Sequence, residues 1–215
     1  MPNESIRQRN KKTVLTQAME LFAANGVENT SVEMIARKSG LSLRSVQNYY
    51  RTKNELIAAV LRSSCAAEQA ELRTFFASAQ YQSKTGAEQL QAIVAAALGK
   101  AVEQPALIFC TAQMQRILSR VPDWDEKPPL CGNWPAVMEQ LKSAFDKGTR
   151  DGSITQTVQE NLIDARSVML AMRGIQEQVA FAMCDGELNA LLEPKIAAKK
   201  YLRQMEMMLS AGQDG

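Results

Sequence analysis

The chain of 215 residues contains no histidine. That absence removes the Ser-His and Cys-His pairs of nucleophilic catalysis and the commonest general base. It also leaves the cysteines without their usual partner in a zinc site. Cys65, Cys110, Cys131 and Cys184 are scattered and form no C-x-x-C pair, so they read as reduced, small apolar residues rather than as a disulfide framework. Alternation of β-branched and polar residues, the mark of half-buried strands, is missing. No apolar run approaches the ~18 residues of a membrane span. The opening MPNESIRQRNKK has none of the apolar stretch of a secretory signal. The expectation is a cytoplasmic protein with no membrane, no metal and no cofactor, and not an enzyme.

What is present is an ordinary soluble composition, 46% hydrophobic and 22% charged, with enough length to bury a core. The charge is unevenly placed. Residues 1–62 hold 10 Lys and Arg against 5 Asp and Glu, whereas residues 63–215 hold 15 against 18. A basic N-terminal quarter on a mildly acidic body is the asymmetry of a chain whose one end meets a polyanion.

Apolar residues recur at helical spacing almost throughout, and Ala, Leu, Gln, Glu and Met dominate. Four pairs, Thr30/Glu33, Thr52/Glu55, Thr85/Glu88 and Thr157/Glu160, have the spacing of capping boxes. Pro105, Pro135 and Pro194 stand where helices begin. The pattern predicts about nine helices: 9–25, 31–39, 43–50, 53–79, 86–102, 105–120, 135–151, 158–184 and 194–210. The longest irregular piece is VPDWDEKPPLCGNW, residues 121–134. The fold class is all-α. The charge shift falls near residue 60, inside the fourth helix, so the N-terminal domain, taken as 1–52, and the helical body, 53–215, adjoin along that helix rather than across a flexible linker.

The informative stretch is SGLSLRSVQNYYRTKNEL, residues 39–56. On a helix from Leu43, with about 100° per residue, Val46, Tyr49 and Tyr50 share one side and Leu43, Arg44, Gln47 and Asn48 the other. Val46 and Tyr50 can pack on Leu21, Phe22, Ile35 and Ala36. The outward ridge then carries an arginine, a glutamine and an asparagine, whose forked donors and acceptors match base edges. A short helix entered through a Gly-containing turn from another short helix is a helix-turn-helix, the second helix being the one that enters a major groove. A three-helix packing unit with a solvated polar face satisfies the same pattern.

Residues 14–60 resemble the DNA-binding domain of the TetR (tetracycline-repressor-type) transcriptional regulators. The resemblance rests on A-x-x-L-F-A-x-x-G (Ala18 to Gly26), T-S-V-x-x-I-A (Thr30 to Ala36), the turn Gly40-Leu41-Ser42, Tyr49-Tyr50, and the K-x-E-L opening at Lys53 to Leu56. It implies that Ser31 meets phosphate and that Arg44, Gln47 and Asn48 meet bases or backbone. Ser42 and Ser45 lie close by, and Tyr49 and Lys53 reach backbone phosphate. Gln47 departs from the family pattern, which has tyrosine there, so either a base or a phosphate contact is open to it. Leu43 can meet a thymine methyl or lie partly buried.

Beyond residue 60 the resemblance implies a homodimeric repressor of a palindromic operator on double-stranded DNA, released from that operator when a small-molecule effector binds in a cavity of the helical body. Candidates for an apolar effector cavity are Phe76, Phe109, Cys110, Met114, Trp134, Met138, Phe145, Met172 and Arg173. The helix 158–184 is apolar around much of its circumference, as a helix buried on two sides is. Met169, Gly174, Val179 and Phe181 on it, with Leu202, Met205 and Leu209 on the last helix, are the dimer candidates. A TetR-like DNA-binding protein controlled by a partner rather than a ligand, or an activator, fits the same residues.

Overall fold

The computed structural model describes residues 2–121, 134–155 and 164–210, which form helices and no strand. The eleven described helices are α1 (Pro2–Asn25), α2 (Val32–Lys38), α3 (Leu43–Tyr49), α4 (Lys53–Ala77), α5 (Ala79–Gln82), α6 (Gly86–Glu103), α7 (Pro105–Leu118), α8 (Trp134–Asp151), α9 (Ala165–Cys184), α10 (Gly186–Leu192) and α11 (Pro194–Ser210). No single helix among the described residues is long and apolar enough to cross a membrane. The expected cap at Thr157/Glu160, most of the loop 121–134, and Cys131 lie outside the described residues.

Two helices more than the pattern predicts come from side chains that interrupt longer runs. Ser78 accepts a bond from the Tyr81 backbone N–H, which ends α4 and starts α5. Asp185 does the same with Leu188, at 2.9 Å, and separates α10 from α9. Asx and Ser side chains compete in this way for backbone donors and favour caps over helix interiors. At the other end α1 begins at Pro2 rather than Arg9, since nothing between them breaks a helix and proline is tolerated in a first turn.

The described residues fall into two compact units, one within 1–68 and 109–131, the other within 69–108 and 132–215. The first is built on Val14, Ala18 and Phe22 of α1, Ile35 and Ala36 of α2, Val46 of α3, and Leu56, Ile57, Val60, Leu61 and Cys65 of α4. Cys110, Met114 and Leu118 of α7 complete this core, an addition from 50 residues away that periodicity alone does not disclose. Burial pushes the Cys110 thiol up to about 12, so it stays protonated and packs as a small apolar residue.

In the second unit α6 packs against α8, α9 and α11. Its start is held by a complete capping box between Thr85 and Glu88. It is held again from α8 and the turn that follows, because Gly86 N–H donates to Asp151 Oδ2 at 2.9 Å and Ala87 N–H to Ser153 Oγ at 3.0 Å. The two backbones meet so closely that a Cβ on Gly86 would lie 2.0 Å from Gly148 N. Phe75, Phe76 and Tyr81 form a cluster with ring centroids 5.2–5.3 Å apart beside this junction.

Since backbone rather than a flexible side chain opposes that Cβ, Gly86→Ala must separate α6 from α8. We expect a loss on the order of 1–3 kcal/mol, the range for overpacking. Urea unfolding followed by circular dichroism would read it as a lower midpoint at constant slope; an unchanged midpoint would contradict the close approach.

Candidate nucleic-acid interface

The sequence of the first unit dictates its turns locally. Gly26 takes a left-handed φ of 83° and its N–H closes α1 on Phe22 O at 2.9 Å. Gly40, at φ 68°, closes α2, and the next N–H, of Leu41, reaches Ala36 O at 3.0 Å. Glycine adopts such angles without the steric cost other residues meet. The expected capping pair Thr30/Glu33 is corrected by one residue. Ser31 is the cap, its Oγ accepting from Met34 N–H at 3.2 Å. Thr30 is fully buried, and its hydroxyl donates to Gly26 O at 2.8 Å with Leu21 O as a second acceptor. The Glu33 backbone N–H first, and then the Ser31 hydroxyl, hold the exposed Glu33 carboxyl below its ordinary range.

Helix α3 is capped by Ser42, whose Oγ accepts from Ser45 N–H at 3.1 Å and lies 2.8 Å from Ser45 Oγ. Val46 is wholly buried. Arg44, Gln47 and Asn48 are exposed, while Leu43, Ser45, Tyr49 and Tyr50 are half-buried. Tyr50 leaves the helix as its C-cap, at φ −141°, and burial raises its phenol. Arg44 and Asn48, one turn apart, lead the outward ridge. Leu43 takes the half-buried of its two alternatives.

The ridge has two different flanks. On one, Gln47 lines a groove of about 370 Å³ with residues 28–33 and 50–53. This flank contains Ser31 and Lys53, and Lys53 Nζ donates to Glu28 O at 3.0 Å. Partial burial lowers the Lys53 pKa, and Glu28 opposes that shift. Glu28 and Glu33 offset Arg51 and Lys53 there. Thr52 caps α4 by accepting from Glu55 N–H at 3.1 Å, and Glu55 reaches back to Arg51 N–H at 2.9 Å. On the other flank, Tyr49 receives a long bond of 3.5 Å from Asn10 Nδ2 of α1.

A second concavity of the same unit, about 300 Å³, places Arg116 of α7 and Arg120 just beyond it beside Gly26, Val27, Glu28 and Asn29. Sequence reasoning missed this, as it missed α7 in the core.

The effector candidates do not gather in any of the described grooves. Cys110 and Met114 are core residues of the first unit, to which half-buried Phe109 also belongs. Phe76, Phe145 and Met172 are buried in the second unit, where Met138 is half-buried. Half-buried Arg173 donates to Gln176 Oε1 at 2.6 Å, and Gln176 donates to Ala97 O. The Trp134 side chain lies outside the described residues.

Of the dimer candidates, Met169, Val179, Met205 and Leu209 are buried inside the chain's own second unit. Helix α9 packs on α6 and α8, and α11 on α6 and α9. Gly174 and Phe181 are exposed and Leu202 is half-buried. The outward apolar side chains are Leu170 and Phe181 on α9 and Ile196, Met207 and Met208 on α11.

Thr30→Val removes a buried hydroxyl that serves two backbone carbonyls, and we expect a loss of about 1–3 kcal/mol. Ser31→Ala, which removes only the cap, should cost about 1 kcal/mol. Thermal unfolding of the two variants checks the order; an equal or reversed pair would return the cap to Thr30.

Residues 14–60 match the family model for bacterial regulatory proteins of the tetR family. The mycofactocin biosynthesis transcriptional regulator MftR of Mycobacterium tuberculosis is 40% identical over 60 residues, 26% of this chain. The match spans only 30% of that curated relative's length. Among solved structures, a tetR-family regulatory protein from Rhodococcus RHA1 aligns with a TM-score of 0.68 at 18% identity, over 93% of this chain and 96% of its own. The regulator FadR of Bacillus subtilis, solved in complex with stearoyl-CoA, aligns with a TM-score of 0.62 at 15% identity, over 93% and 97%. At these identities the structures share the fold. Residues 14–60 are thus a tetR-family domain, in a chain whose fold is shared with these regulators.

Proposed function

We propose that this chain is a transcriptional repressor that binds a palindromic operator as a homodimer and is released by a small molecule. The observation that carries the reading is α3: Val46 is fully buried while Arg44 and Asn48 stand outward on a capped helix beside the start of α2. A helix held in this manner can enter a major groove, where Arg matches guanine and Asn matches adenine.

In this reading Arg44 and Asn48 meet base edges, with Ser42 and Ser45 at the helix entrance. Gln47 shares its groove with Ser31 and Lys53, which favours the phosphate side of its two alternatives. Residues 1–52 read DNA, and residues 53–215 dimerise and bind the effector.

Two protomers join through the outward stripe of α9 and α11. Leu170, Gly174 and Phe181 recur at helical spacing on α9, and a Cβ on Gly174 would meet nothing within 4 Å, which leaves room for a partner helix. The effector is largely apolar and is received by the second unit, where Met138, Phe145, Met172 and Arg173 are its candidates. The stearoyl-CoA complex of a protein with this fold supports that class of ligand. An effector that prefers the DNA-incompetent arrangement shifts the population away from the operator. Helix α4 carries Leu56 to Cys65 of the first unit and Phe75 and Phe76 of the second, so its displacement is the means of transmission.

Arg44→Ala should reduce discrimination at one base pair by about 1–3 kcal/mol, measured as relative affinities across operator variants. Lys53→Ala should weaken all sequences alike and flatten the salt dependence by roughly one phosphate contact. Unaltered discrimination in the first variant would remove direct readout by Arg44; a loss confined to one sequence in the second would remove its phosphate role.

Sedimentation of the wild-type chain should give a dimer, and Leu170→Glu with Phe181→Glu a helical monomer. A monomeric wild type would end the two-headed mechanism.

A further inference from the structure

A groove of about 470 Å³ lies in the second unit, between α5, the start of α6 and one face of α8. None of the residues proposed for the apolar effector or for the dimer lines it. Gln140, Ser143, Lys147 and Arg150 form its α8 wall, spaced by three and four residues and therefore on one face of the helix. Tyr81, Gln82, Gln89 and Asp151 complete the lining, which has no aliphatic side chain.

Two of these side chains are buried yet incompletely satisfied. Tyr81 is 2% exposed and Gln89 4%. Gln89 Nε2 donates to Tyr81 O at 3.1 Å. Gln89 Oε1 and the Tyr81 hydroxyl have no hydrogen-bond partner among the described residues. A buried polar atom left without a partner is costly, so an occupant of the groove must offer a donor to Gln89 and an acceptor to Tyr81. Burial pushes the Tyr81 phenol up to about 12, which keeps it a donor at neutral pH.

The lining also carries charge. Lys147 Nζ donates to Gln82 O at 3.0 Å and to Lys84 O, and neutral carbonyls leave its charge intact. Arg150 is anchored through Nε on Asp146 O at 3.1 Å, and it remains exposed. Asp151 is the one carboxylate of the lining, and its oxygens already accept from the Gly86 and Ser153 N–H groups. Two cations against one carboxylate leave a single positive charge to be met.

We propose that this groove is a ligand site separate from that of the apolar effector, and that it takes a small polyhydroxylated monoanion of the sugar-acid kind. The carboxylate of the ligand pairs with Arg150 and Lys147. Its hydroxyls, each both donor and acceptor, meet Tyr81, Gln89, Gln140 and Ser143, which an apolar chain could not satisfy. The site adjoins the close approach of Gly86 to Gly148, so a bound ligand braces α6 against α8. The inference does not depend on the DNA-binding reading.

Calorimetric titration of the full chain with gluconate, glucuronate and glycerate tests it, with glucose and acetate as controls. At least one of the three acids should bind once per chain, roughly tenfold more tightly than either control, as a hydrogen bond to a charged group contributes. That acid should also raise the thermal midpoint. Arg150→Gln, an exposed change that spares the fold, should weaken the acid roughly tenfold and leave glucose unaffected. Tyr81→Phe removes only the hydroxyl, and should weaken the acid roughly three- to tenfold without lowering the midpoint of the free protein. Lys142→Ala, on the opposite face of α8, should change nothing. Binding of none of the acids, or equal affinity for the acid and a control, would overturn the site. So would equal losses in Arg150→Gln and Lys142→Ala, or a lowered midpoint in Tyr81→Phe, which would show that the hydroxyl serves the fold.

Discussion

The structure depends on the burial of one side chain, Val46. Helix α3 has only seven residues, far short of what holds an isolated helix in water. Its orientation is therefore set from outside, by Val46 in a core with Phe22, Ile35, Ala36 and Leu56. The Ser42 cap fixes where the helix starts and Tyr50 where it stops. Once Val46 points inward, the geometry of 3.6 residues per turn leaves Arg44 and Asn48 outward. Gln47 then faces one flank and Tyr49 the other. The base and phosphate contacts proposed for these residues both rest on that orientation.

Much of this was legible because the signals are local. The spacing of Val46 and Tyr50, the glycines at positions 26 and 40, and the Thr85/Glu88 box each act within four residues. Where two local readings compete, only tertiary burial decides. Thr30-Ser31-Val32-Glu33 offers two hydroxyls for one cap. The fold buries Thr30 against Gly26 and Leu21 carbonyls and gives the cap to Ser31. Helix 165–184 is a similar case, being apolar on two sides, so periodicity could not say which side is inward. Met169 and Val179 turn to the chain's own core, and Leu170 and Phe181 do not.

The rest was not legible because it depends on long-range contact. Cys110, Met114 and Leu118 leave no trace in sequence of their place under α1 and α4. The scattered effector candidates divide between the two units for the same reason: aromatic and methionine residues mark cores as readily as cavities. The charge asymmetry was visible, but its location was not. Only the early start of α1 shows that the surplus is carried largely by an exposed helix rather than by the recognition surface.

The central claim is that α3 reads sequence for a two-fold assembly, and selection of sites from random duplex DNA by the full chain tests it most directly. The account predicts enrichment of an inverted repeat whose half-sites are separated by about one helical turn or slightly more. Recovery of an unenriched pool by folded, dimeric protein would contradict it.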